Sequence, residues 1–207
     1  MSKKECLLCG KEILNEEVVC DECEKLSPYE LTLKYCLSEK KITNPLNLFL
    51  KIVATPNVKI HGPEHHFIIP AVLLTTYYNK MEDYNTKELK LSEALERSKS
   101  VLGGFCGKWG ACGAAIGTGI FYSLIDSTTP KSTNTWKDCQ LLTASTLEKI
   151  ANTNGPRCCK RASYIAICEA VKYIKDMKNI ELDISENIKC EYSKKNPDCQ
   201  KEKCKYN

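Results

Sequence analysis

The sequence lacks a charge imbalance: 30 lysines and arginines stand against 26 aspartates and glutamates, a formal charge of +4 over 207 residues. No long basic run occurs outside the C-terminal tail, so charge does not demand nucleic acid as a partner. The opening MSKKECLLCGKE lacks the charged, apolar and small-residue succession of a secretory signal, and the expected location is cytoplasmic. A membrane-length apolar run is missing too. The uncharged stretch over residues 109–125 has 17 residues, short of the roughly 20 that span a bilayer, and glycines and a cysteine interrupt it. No membrane partner is expected. The compact Cys-x2-Cys-x2-Cys run of ferredoxins is also absent, which argues against simple electron transfer.

What is present is cysteine, 14 residues of it. In a secreted mini-protein these would form a disulfide framework. Here no signal is seen and the length does not require such staples, so metal ligation or catalysis is the better reading. An apolar content of 43% suits one domain with a sizeable core and a small appendage.

The most specific pattern is CLLCGKEILNEEVVCDEC, in which Cys6 and Cys9, then Cys20 and Cys23, form two Cys-x2-Cys knuckles. Four thiolates so spaced hold a zinc ion tetrahedrally, and Gly10 allows the tight turn that a knuckle needs. KEILNEEVV offers two short strands turning near Asn15, hence a zinc-ribbon-like unit over residues 1–26. Such a site either folds a tip too small for its own core or contacts a protein partner or nucleic acid.

From Ser27 the pattern becomes helical. Ser27-Pro28 with Glu30, and Asn44-Pro45, are capped helix starts. The expectation is a mainly α, multi-helix globular domain over residues 27–180, with six or seven helices between residues 27 and 178. A cysteine-containing tail over residues 181–207 folds back on it. Cys36 reads as a core residue, and Pro70 requires a kink or a helix start.

Three segments carry further chemistry. His61, His65 and His66 fall within six residues around Glu64. With a helix starting near Pro63, Glu64, His65 and His66 occupy its first turn, where the dipole favours a neutral imidazole able to act as base or ligand. His61-x2-Glu64-His65 also matches the inverted zinc-protease pattern, but Gly62 and Pro63 interrupt the helix that pattern requires. The second segment, GGFCGKWGACGAAIGTGIFYSLI, sets Cys106 and Cys112 in a glycine-dense loop. It leads into an apolar helix where Gly113 and Gly117, one turn apart, permit close helix approach. The third, NGPRCCKR, places Cys158 and Cys159 at a helix start among Arg157, Lys160 and Arg161, where dipole and charge favour thiolates. The tail adds Cys190, Cys199 and Cys204, which fold onto a metal centre, either this one or a separate site completed by a body cysteine.

HGPEHHFIIPAVLLTTYYN, GFCGKWGACGAAIGTGIFYSLI and NGPRCCKRASYIA resemble an uncharacterised domain-of-unknown-function family of anaerobic archaea and bacteria, sometimes joined to methyltransferase-like or radical-SAM-type modules. The resemblance covers residues 45–204 and implies an anaerobic host and an all-helical domain. It supplies no reaction. From the residues, the expected function is an iron-sulfur metalloenzyme of anaerobic metabolism, a lyase or sulfur transferase. Cys106, Cys112 and one of Cys158 and Cys159 hold a 4Fe-4S cluster with one open iron; His61, Glu64, His65 and His66 supply acid and base; Arg157, Lys160 and Arg161 hold a small anionic substrate. The alternatives are a zinc-dependent hydrolase and a non-catalytic metal- or nucleic-acid-binding protein.

Overall fold

The chain opens on a knuckle closed by its own turn. In the computed structural model, which describes residues 4–13, 18–184 and 187–207, strand β1 (Lys4–Glu5) pairs antiparallel with β2 (Glu12–Ile13), Lys4 opposite Ile13. The first Cys-x2-Cys pair makes the turn between them. Cys6 N donates to Lys11 O at 2.7 Å and Gly10 N to Cys6 O at 2.9 Å, while Gly10 takes a φ of 72° that a side chain would strain. One strand therefore precedes Cys6, where both were expected between the cysteine pairs; the expected turn at Asn15 lies outside the described residues. A one-turn helix, α1 (Asp21–Glu24), carries Cys23. The Asn57 side-chain amide joins the knuckle to the body, donating to Cys23 O at 3.2 Å, Glu24 O at 2.8 Å and Leu26 O at 2.7 Å.

The body is helical because its start signals are strong and its apolar residues recur at helical spacing. α2 (Pro28–Ser38) begins with a reciprocal capping box: Ser27 Oγ accepts from Glu30 N, and Glu30 Oε2 accepts from Ser27 N. α3 (Pro45–Val53) is capped by Asn44 Oδ1, which accepts from Leu46 N and Asn47 N. Then come α4 (Glu64–Met81), α5 (Tyr84–Lys99), α6 (Phe105–Lys108), α7 (Gly113–Ile125), α8 (Asn134–Ala151) and α9 (Cys159–Lys178). Among the described residues, eight helices lie between residues 27 and 178, one more than the upper expectation, because the glycine-rich loop contributes the single turn α6. Beyond α9 the tail is irregular apart from a 3-10 turn at Lys201–Lys203. No helix among the described residues is long and apolar enough to cross a membrane.

α4 is the central element, buried along most of its length, with α2, α3, α5, α7 and α9 packed around it. Pro70 lies inside α4 and cannot donate to the His66 carbonyl. That carbonyl instead faces the bare Cα of Gly117: a Cβ there would stand 3.2 Å from His66 O and 3.0 Å from Pro70 Cδ. Gly113 and Gly117 thus bring α7 close against α4, while Gly119 turns to α8, where Cys139 Sγ donates to Gly119 O at 3.2 Å. Cys36 is fully buried beside the α4 core. On α8, Trp136 and Leu141 are about half exposed, and Leu142 and Thr146 form its buried line.

Candidate metal centres

Cys6, Cys9, Cys20 and Cys23 form a group that can hold a metal ion, their sulfurs all within 4.8 Å of one another. Tetrahedral thiolate ligation with bonds of about 2.3 Å sets sulfurs about 3.8 Å apart; Cys9 Sγ and Cys20 Sγ are separated by 3.6 Å. Burial opposes ionisation of Cys6, but the backbone N-H groups of Cys20, Leu8 and Cys9 outweigh it and bring the thiol down to about 6. Burial and the three neighbouring thiols push Cys23 the other way. A cation would reconcile four thiolates so close together.

A second assembly is built from helix starts. Cys112 is the N-cap residue of α7, Cys158 is the N-cap of α9 and Cys159 its first residue, and Glu64, His65 and His66 form the first turn of α4. These three N-termini and the α6 turn border one cleft of about 610 Å³, partly open to solvent, lined by Cys106, Cys112, Cys158, Cys159, His65 and His66. Arg157 and Arg161 also line it. The positive dipole ends of three helix starts at one volume favour an anionic occupant. Among the described residues, only the N-terminal quartet gathers its ligand atoms within 4.8 Å, so the cleft sulfurs border a volume larger than one ion. Burial pushes Cys112 up against the backbone N-H groups of Ala114 and Ala115, and it pushes Cys159 up to about 11, helped by the nearby Cys112 thiol. At Cys159 desolvation outweighs the Gly62 backbone N-H and the Arg157 charge, which act the other way.

The two cleft histidines differ. His66 Nδ1 lies 2.8 Å from Val101 O, and because a carbonyl only accepts, Nδ1 carries the proton and Nε2 presents a lone pair. The ring lies directly over Gly113, where a Cβ would come within 2.1 Å of it. His65, 1% exposed, has both nitrogens engaged, Nδ1 with Gly62 O at 3.2 Å and Nε2 with the Lys160 ammonium at 2.9 Å. Burial and then Lys160 hold its pKa well below the usual imidazole value, so it is neutral, though burial rather than the helix dipole is the main cause.

The remaining expected site residues have other neighbours. Glu64 is buried and accepts from Lys59 N at 3.2 Å. His61 lies before α4, its Nε2 2.9 Å from Asn196 Oδ1 in the tail, so the inverted zinc-protease pattern is not carried on one helix. Lys160 is 1% exposed and donates to Lys59 O and His65, with its ammonium 5.1 Å from the centre of the Tyr192 ring. Arg161 donates to Gln200 Oε1, Asn154 O and Pro156 O. Cys190, Cys199 and Cys204 line a smaller cavity together with Cys158. The sequence reading missed Asn196 and Gln200, the tail residues that reach His61 and Arg161; both are polar residues in an aperiodic segment and carry no pattern.

The fold and these sites define a class: a helical protein with an N-terminal cysteine quartet able to hold a metal ion and a thiol-lined cleft at converging helix starts. Residues 32–207 match the model of the Family of unknown function (DUF5714), and the chain belongs to that family. Neither a curated protein nor a solved structure matches it.

Proposed function

We propose that the protein is an iron-sulfur metalloenzyme of the lyase or sulfur-transfer type, with a structural zinc ion in the N-terminal quartet. The observation that carries the reading is the meeting of Cys106, Cys112 and Cys159, brought by three separate elements, in one cleft bordered by three helix N-termini. Of the vicinal pair, Cys159 is assigned here because its thiol neighbours Cys112, whereas Cys158 Sγ accepts from Asn196 of the tail at 3.5 Å. Thiolates held by glycine-rich loops are the usual ligands of such clusters. Three of them leave a coordination position free, and the bound cluster supplies a Lewis-acidic iron there.

The chain's own residues do the rest. His66, fixed by Val101 in the tautomer with a free Nε2, is the group placed to take a proton at the cleft and return it. Arg157 supplies positive charge for a small anionic substrate. The buried His65-Lys160 pair positions the starts of α4 and α9 relative to each other. The knuckle zinc folds a tip whose own core is small. Serine at Cys106 or Cys112 is expected to remove the cleft's iron and sulfide from anaerobically prepared protein while leaving one zinc. Retention of all iron in both variants, or equimolar zinc in the cleft without sulfide, would refute the assignment.

A further inference from the structure

The tail contains three cysteines that the cleft does not use, and its fold is organised around them. Cys190, Cys199 and Cys204 line a small cavity partly open to solvent, and Cys158 of α9 supplies a fourth thiol from the body. Three of these sulfurs already accept hydrogen bonds of the kind that stabilise metal-bound thiolates. Tyr192 N donates to Cys190 Sγ at 3.4 Å, Lys201 N to Cys199 Sγ at 3.3 Å, and both Arg161 N and Asn196 Nδ2 to Cys158 Sγ at 3.5 Å. The Tyr164 hydroxyl, also on this cavity, lies beside the Cys190 thiol.

An irregular polar segment needs a reason to be ordered, since each fixed residue costs about 1–2 kcal/mol of backbone entropy. The ends of this one are tied by Cys190 N donating to Tyr206 O at 2.6 Å, and its middle by Asn196 to His61 and Gln200 to Arg161. Residues 187–207 hold six lysines against three acids, a surplus of three positive charges around the four thiols. The sulfurs are not drawn together as the N-terminal quartet is. A single ion would require that, whereas a cubane cluster holds its thiolates farther apart, around a volume.

We infer that Cys158, Cys190, Cys199 and Cys204 form a second, fully cysteine-ligated iron-sulfur site, separate from the cleft, so that adjacent residues Cys158 and Cys159 serve different centres. A cluster held by four cysteines has no free iron position, and it is therefore suited to exchanging electrons rather than to binding substrate.

The test is anaerobic reconstitution of the full chain with ferrous iron and sulfide, comparing wild type, Cys199→Ser, Cys204→Ser and Cys106→Ser. Each tail variant should lose iron and sulfide: roughly half when the cleft is also loaded, all when it is not. The two assignments thus fail separately, because Cys106→Ser tests only the cleft. Alkylation mapping of the wild-type chain covers the case of a variant that misfolds. All four thiols should be protected together after reconstitution and should react together before it. Full iron and sulfide content in both tail variants, tail-bound zinc without sulfide, or any of the four thiols reacting equally fast with and without iron would overturn the assignment.

Discussion

Replacing Gly113 by alanine examines the packing on which the cleft depends. The new Cβ would stand 2.1 Å from His66 Cδ2, 2.3 Å from Nε2 and 2.5 Å from Cγ, closer than non-bonded carbon atoms can approach. The ring cannot simply yield, because Nδ1 is bonded to Val101 O at 2.8 Å. Either α7 moves away from α4, an overpacking cost of about 1–3 kcal/mol, or the ring turns and forfeits a hydrogen bond of about 1 kcal/mol. Alanine recovers up to about 1 kcal/mol of helix propensity. The net expectation is a loss of up to about 2 kcal/mol, which for a chain of this length lowers Tm by up to about 8 °C. Gly107→Ala is the control, since nothing lies within 4 Å of its added Cβ, and it should change Tm little. Thermal unfolding of Gly113→Ala in the wild-type and His66→Ala backgrounds provides the decisive comparison. Without the imidazole the alanine should be neutral or stabilising, a coupling of about 1–3 kcal/mol. An equal penalty in both backgrounds would refute the placement of His66 over α7.

Three further outcomes are expected. Asn57→Ala strips the donor from three backbone carbonyls of the knuckle; at about 1–3 kcal/mol, it should speed zinc loss to a chelator at least about fivefold, and an unchanged rate would show that the knuckle does not rely on this clamp. Cys9→Ser should release the knuckle zinc yet leave iron and sulfide intact, as elemental analysis would show; loss of every metal would mean that the knuckle belongs to the reactive centre. Burial pushes the Cys36 thiol up to about 12 from an ordinary value of 9.0, so above pH 9 the unfolded chain releases a proton that the folded chain keeps, and stability falls as pH rises. Denaturant titrations from pH 8.5 to pH 10.5, a range of about two units, should give Cys36→Ala an alkaline slope shallower by up to about 1.4 kcal/mol per pH unit, and parallel slopes would contradict the buried thiol.

Much of the body was legible in the sequence, because its signals are local. Ser27-Pro28 with Glu30 and Asn44-Pro45 named their helix starts through capping chemistry, and both caps are formed. Two Cys-x2-Cys pairs identified the quartet because a single ion demands close ligands, which a short chain segment can supply. Gly113 and Gly117 indicated close helix approach, and α4 is what approaches. Pro70 was read as a kink or a helix start; it lies inside α4, and the neighbour it meets there, Gly117 of α7, is 47 positions away in the sequence. The partners of His61 and Arg161 were hidden for the same reason. Asn196 and Gln200 lie in a segment without periodicity, and only its three-dimensional course brings them to α4 and α9. The proposed division of Cys158 from Cys159 likewise depends on which way each side chain leaves the start of α9, and adjacency in sequence carries no such information.

The central claim is that the thiol-lined cleft holds an iron-sulfur centre. The most direct measurement is the absorption spectrum of anaerobically purified protein, with iron, sulfide and zinc counted on the same sample, for wild type and Cys112→Ser. Brown wild-type protein containing iron, sulfide and one zinc is predicted, and a variant that loses the cleft's share of the iron and sulfide but keeps the zinc. Colourless wild-type protein containing zinc and no sulfide would contradict it.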